Sequence, residues 1–174
     1  MRKIVVTAGH SSTDPGAVGH GKTEADIVLE FRDLVADALR AAGIAFVKDG
    51  ERDQNLPLPR AIALVTPGSV AVEFHCNAAA APAVTGVETL SHEQNRALGL
   101  DLCAAVAEVL GIPNRGAKGE GAGQHSRLGF VRAGGLILEL FFISNASDQA
   151  RYQANKLVLA ERVAGVLAAH ALRA

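Results

Sequence analysis

Three short apolar runs in this chain each end on a side chain that water ordinarily keeps. Ile4-Val5-Val6 leads through Thr7, Ala8 and Gly9 to His10, Val70-Ala71-Val72-Glu73-Phe74 leads to His75, and Leu136-Ile137-Leu138 leads to Glu139. Short continuous apolar runs of this kind read as strands buried on both faces, the habit of parallel sheets. Between them, Ile27, Phe31, Leu34, Val35, Ala38 and Leu39 recur at threes and fours, the period of a one-sided helix, which Gly43 ends. Further helices are predicted from Pro59 to about Val65, from Glu93 to Leu110 and from about Asp148 to Leu172, with short strands at Ile44 to Val47 and Gly86 to Leu90. Strands alternating with helices predict an α/β fold, a three-layer sandwich whose twisted, mostly parallel central sheet carries helices on both faces. No linker or repeat divides residues 1–174, which read as one domain. Asn114 to Ser126, rich in Gly and charge, reads as a long irregular loop facing substrate.

Composition removes several classes of function. Net charge is −1 with no basic run, and the chain has no Trp and one Tyr, so neither a nucleic-acid footprint nor an aromatic stacking platform is expected. No apolar stretch approaches the ~20 residues that span a bilayer. The apolar run behind Met1-Arg2-Lys3 is too short for a signal peptide. A soluble monomer made in the cytoplasm is expected. Cys76 and Cys103 lack metal-ligand spacing and read as free thiols, with Cys76 pointing away from the face that carries His75.

Chemistry on a parallel sheet collects at the carboxyl ends of its strands, and His10, His75 and Glu139 all fall there. Glu24 opens the first helix beyond a loop holding Asp14-Pro15-Gly16, Gly19 and Gly21. Two imidazoles and a carboxylate from strand and helix ends are what a zinc centre with one open position requires. Each residue also has a plainer reading. His10 could be a hydrogen-bonded surface histidine, His75 a satisfied core histidine, and Glu24 a first-turn carboxylate beside the cap residue Thr23. Glu139 resists the plain reading. It lies between Leu136-Ile137-Leu138 and Leu140-Phe141-Phe142-Ile143, where an ionised carboxylate is costly unless paired, protonated or metal-bound.

In order along the chain, these segments resemble the motifs of the zinc-dependent N-acetylmuramoyl-L-alanine amidases of the amidase_3 type. Ala8-Gly9-His10 with Asp14-Pro15-Gly16-Ala17, Gly19 and Glu24 is similar to that family's first zinc motif, and Glu73-Phe74-His75-Cys76-Asn77-Ala78 to its second. Gly86-Val87-Glu88-Thr89, Asn114-Arg115-Gly116-Ala117-Lys118, and Leu138 to Asn145 with Asp148 resemble the later ones. The resemblance runs from residue 4 to about 152. Two positions depart from it. Glu73 stands where Ser is usual and is read as facing away from His75, and Leu140-Phe141-Phe142 replaces a Gly-Phe pair.

The resemblance implies one Zn2+ per chain held by His10, Glu24 and His75, with Glu139 as the catalytic glutamate. The implied reaction is hydrolysis of the amide joining the lactyl group of N-acetylmuramic acid to L-alanine in peptidoglycan. Glu139 would accept the attacking water's proton and return it to the leaving amine. Asn77, Arg115, Lys118 and His125 are candidates for contacts with substrate, whereas His20, His92 and His170 read as non-ligands. Family members regulated from within carry a long helical plug over the zinc, and the sequence between His75 and Glu139 shows no obvious extra one. The setting expected is endolysin-like wall lysis after phage release, or export of the enzyme by another route. The competing readings are a zinc peptidase acting within the stem peptide and an inactive wall-binding module.

Overall fold

The computed structural model describes residues 1–122 and 128–173. Strand β1 (Ile4–Ala8) is buried along its whole length and carries the chain into a loop with a two-residue hairpin, β2 (Val18–Gly19) and β3 (Lys22–Thr23). Helix α1 (Glu24–Ala41) starts where Thr23 accepts a hydrogen bond from the Asp26 N–H, and it carries Glu24 and Asp26 in the turn where the helix dipole favours acids. After β4 (Phe46–Lys48) and α2 (Leu58–Leu64) comes β5 (Val70–Asn77), then β6 (Val87–Ser91) and α3 (Arg96–Leu110). Strand β7 (Asn114–Gly119), the single turn α4 (Gly129–Arg132), β8 (Leu136–Phe142) and the long α5 (Ala146–Leu172) complete the order.

The sheet runs β4-β1-β5-β8-β6-β7. All pairs are parallel except β6 with β8, so β8, last in sequence, lies at the centre beside β5. The three-layer, mostly parallel arrangement expected from the sequence is present. Its two outer layers are unequal. Ile4, Val6, Val72, Phe74, Leu136 and Leu138 point into one large core with α1, α3 and α5. The alternate residues point the other way, where Val5 and Ala71 meet Ala61 of α2 and Phe130 of α4, and Leu90 and Ile137 meet Val131. This second cover is short and leaves the C-terminal ends of β5 and β8, with the N-terminal end of the antiparallel β6, open above it. Strand alternation then assigns the open face to Glu73 and His75 after Ala71, to Glu139 after Ile137, and to Glu88 before Leu90.

Several boundaries differ from expectation. Asn114 to Gly119 is not an irregular loop but the edge strand β7, followed by a 3-10 turn at Glu120–Ala122. An edge strand needs no apolar alternation, and its Asn-Arg-Gly-Ala-Lys-Gly sequence gives none. Gly116 (φ 82°) takes up a bulge between Val87 and Thr89 of β6. The helix predicted from Glu93 begins as a 3-10 turn, Glu93–Asn95, and α3 proper starts at Arg96.

Candidate metal centre and active site

His10 leaves β1 with φ of 63°, a left-handed conformation that side chains other than glycine's adopt reluctantly. Asn55 holds it there, its Nδ2 donating to the carbonyls of both Gly9 and His10 at 2.9 Å. The ring Nδ1 meets Asp14 Oδ2 at 3.1 Å, and Nε2 lies 2.9 Å from Glu24 Oε1. His75 brings its Nδ1 to the same oxygen at 3.0 Å, with the two imidazoles edge-on and their centroids 5.1 Å apart. Glu24 is buried, and its carboxylate also accepts the N–H groups of Cys76 (2.9 Å) and Ala17 (3.0 Å). Two glycines make room. A Cβ on Gly16, itself at φ 64°, would lie 2.6 Å from His10 Nε2, and one on Gly9 would lie 2.3 Å from the His75 ring.

Ligand atoms of His10, Glu24 and His75 all lie within 4.8 Å of one another. Burial would raise the pKa of Glu24, but its hydrogen bonds to His10 and His75 win and hold it well below the carboxylate range. Burial pulls the other way on His75, yet its contacts with Glu24 and Glu73 raise its pKa well above the ordinary histidine value. The three groups thus already concentrate negative potential on two imidazole nitrogens, a donor set of two nitrogens and a carboxylate suited to zinc.

Glu139 pairs in register with His75 on one side and with Glu88 on the other. Its Oε2 is sealed from solvent and has no hydrogen-bond partner among the described residues. Burial, with the charges of Glu24 and Glu88 adding to it against His75, pushes its pKa up to about 7. The Glu139 side chain lines a cleft of about 330 Å³ together with His10, Glu24, His75, Ala17 and Ile137. A cation on the three convergent side chains, with water or substrate beside it, is what this pattern of donors accommodates.

Glu88 is buried at the far end of the cleft and gathers the neighbouring polar groups. Its Oε2 accepts from Arg115 Nε at 2.6 Å and Lys118 Nζ at 2.7 Å, and its Oε1 from Asn77 Nδ2 at 3.1 Å. Arg115 also covers the Phe142 ring at 5.1 Å. Arg115 and Lys118 are therefore held on β7 by Glu88 and are not free loop charges. Asn77 reaches Glu88 from the end of β5, past a bulge between His75 and itself. His125 lies outside the described residues.

Glu73 overturns one expectation. Residues two apart on a strand share a face, and Glu73 turns toward His75, its Oε2 3.1 Å from the ring Nε2. The period of two along β5 places Glu73 and His75 on one face. Asn55 and the Glu88 clamp were missed as site residues. Asn55 sits in a polar connection with no periodicity to flag it, whereas Glu88 interrupts the apolar alternation of β6. Cys76 and Cys103 are buried free thiols. Among the described residues, His20 contacts the Ser144 carbonyl, His92 contacts Glu120 and His170 contacts Asp101, away from the convergent cluster.

The description N-acetylmuramoyl-L-alanine amidase (Amidase_3) fits residues 4–169. The chain belongs to this family. It is similar to a Neisseria meningitidis protein assigned as an N-acetylmuramoyl-L-alanine amidase, with 41% identity over 97% of this chain and 94% of the other and a TM-score of 0.88. The amidase AmiC2 of Nostoc punctiforme shares the fold at 22% identity and a TM-score of 0.85, covering 99% of this chain and 98% of that one. YqiI of Bacillus subtilis is 29% identical over 154 residues, 84% of this chain and 73% of that protein. The amidase is thus a peptidoglycan-acting amide hydrolase. None of its helices is long and apolar enough to cross a membrane, among the described residues.

Proposed function

We propose that this amidase uses one zinc ion, held by His10, Glu24 and His75, to cleave the bond between the lactyl group of N-acetylmuramic acid and the L-alanine of the stem peptide. The observation that carries the reading is the unpartnered, buried Oε2 of Glu139 beside that convergent trio. When bound, zinc supplies Lewis acidity that lowers the pKa of a water from ~15.7 toward about 7 and polarises the scissile carbonyl. The rest falls to the chain. The Glu139 carboxylate, with a pKa of about 7, takes the proton of the attacking water and delivers it to the nitrogen of the departing L-alanine. The apolar walls formed by Leu90, Leu128 and Ile137 limit competing water around that carboxylate.

Arg115 and Lys118, part-exposed and anchored by Glu88, would face the carboxylates of the stem peptide, and Asn77 would orient the backbone near the scissile bond. We propose that His125 adds a contact from the neighbouring segment. The test is digestion of purified peptidoglycan by zinc-loaded enzyme, with mass spectrometry of the products. Stem peptides with a free N-terminal L-alanine are expected. New amines only within the stem would replace this reading with a peptidase, and binding without cleavage would replace it with a wall-binding role.

A further inference from the structure

The His75 ring is held at both nitrogens. Nδ1 faces Glu24 at 3.0 Å, inside the convergent cluster, and Nε2 faces Glu73 at 3.1 Å on the other side of the ring. Glu73 is only 4% exposed. It stands outside the trio whose ligand atoms converge, and His75 is the hydrogen-bond partner of its side chain among the described residues. The backbone of Gly9 lies so close to the ring that a Cβ there would come within 2.3 Å of Cε1. Ring rotation is thereby restricted, and the position of the ring proton remains the free variable.

A neutral imidazole has one N–H and one lone pair, and only the lone pair can take a metal. A carboxylate accepts and does not donate, so when a cation takes the place of a proton between Nδ1 and Glu24, Glu73 holds the one remaining ring proton at Nε2 and leaves the Nδ1 lone pair for the ion. We propose that Glu73 is a positioning residue of the metal centre: it fixes His75 as the Nε2–H tautomer, with Nδ1 facing the ion, and so sets the affinity of the site for zinc. The inference rests on the reading of His75 as a ligand. A serine or alanine at this position would impose no such choice, since a hydroxyl both donates and accepts and a methyl group does neither.

The test is the zinc dissociation constant by chelator competition for the parent protein, Glu73→Ala, Glu73→Ser, Glu73→Gln and His75→Ala. It is joined by 15N NMR of the His75 ring in zinc-loaded protein and by melting of the metal-free forms. Glu73→Ala and Glu73→Ser are expected to weaken zinc binding by ~10–100-fold, the usual cost of losing a group that orients a ligand, with metal-free melting unchanged. Glu73→Gln, whose amide oxygen still accepts from Nε2–H and whose shape guards against misfolding, is expected to recover most of the affinity and to keep the Nε2–H signature. Affinity in Glu73→Ala within twofold of the parent, or Glu73→Gln as weak as Glu73→Ala, would overturn the proposal. If His75→Ala loses zinc while Glu73→Ala keeps it, the Glu73 role alone fails. If His75→Ala binds zinc like the parent, the ligand reading fails and takes the Glu73 role with it.

Discussion

Two carboxylates on the same cleft are driven in opposite directions by their neighbours. Glu24 sits between two imidazoles and two backbone N–H groups and stays ionised against the cost of its burial. Glu139 has burial without a partner for Oε2, and its pKa rises to about 7. Separation of this kind sorts the carboxylates by job, the depressed one for holding a cation and the raised one for moving a proton. Glu139→Gln is therefore expected to keep its fold and zinc while losing cleavage by ~10²–10⁴-fold. Glu24→Gln should lose zinc before anything else, as metal analysis beside turnover will show. The reverse pattern would exchange the two assignments. His20→Ala and His92→Ala, whose contacts lie away from the cluster, should cleave within a few-fold of the parent. A hundredfold loss in either, ~2.7 kcal/mol of transition-state stabilisation, would mean that the site is larger than the trio and Glu139.

Between residue and fold stands a connection that ties α1 to His10. Arg32 is fully buried on α1 and donates to the carbonyls of Asp49, Glu51 and Gln54 at 2.8 Å each, and also to the carboxylate of Asp33. The segment it fastens ends at Asn55, whose side chain grips Gly9 and His10. Arg32→Met would leave the three carbonyls and the Asp49 carboxyl, 3.2 Å from the guanidinium, without that donor, while Asp33 keeps Lys48 and the Asp53 N–H. Breaking a buried charged network in this way costs about 3–5 kcal/mol. Urea unfolding should show that loss, and zinc affinity should fall with it because the His10 turn loosens. Acid should act on the same joint. Burial works against the Asp33 charge, but the Asp53 N–H, Lys48 and Arg32 outweigh it and lower its pKa. The folded state then binds fewer protons than the unfolded one, so this stability is present above pH ~4 and drains away as pH falls through the folded pKa. Asp33→Asn should flatten the dependence of stability on pH in that acid range. Little of this joint could be read in the sequence, since Arg32 lies within an ordinary amphipathic period and Asn55 in a polar stretch. β1, β5, β8 and the three long helices were legible because buried runs and one-sided helices write their period into the chain. β7 was not, because pairing to β6 rather than its own side chains makes it a strand, and neither was the central place of β8, which follows from long-range pairing alone. His10, His75 and Glu139 could be named because each interrupts or ends an apolar pattern, and Glu24 because it opens the first helix beyond a glycine-bearing loop. The side to which Glu73 turns needed only correct counting along β5.

At the scale of the whole molecule, the core and the candidate metal centre occupy opposite faces of the sheet. The large core beneath α1, α3 and α5 encloses an aromatic cluster in which Tyr152 stacks on Phe141 at 5.2 Å and Phe31 meets Phe74 at 5.0 Å. His10 and Glu24 lie outside this apolar cluster and project from the end of β1 and the start of α1, at the edge of the sheet. Removing metal should therefore leave the fold in place and take away only the free energy of binding. With free zinc a thousandfold above its dissociation constant, that linkage is worth about 4 kcal/mol. At roughly 2–4 °C per kcal/mol for a domain of this size, chelation should lower the melting temperature by roughly 8–16 °C without changing the far-ultraviolet circular dichroism at 25 °C. The zinc-dependent increment should itself fade in acid, because imidazoles bind metal only in the neutral form. His10 and His75 both have raised pKa values in the metal-free protein, each by hydrogen bonding to Glu24 against the opposing effect of burial. Protons therefore compete with zinc for the same nitrogens from a higher pH than an ordinary histidine would allow. Melting curves with zinc and with chelator, taken across pH 5 to 8, should converge at the acid end. Collapse of secondary structure on chelation would instead make the metal a structural element of the fold, and superimposable curves at every pH would remove the metal from this cleft.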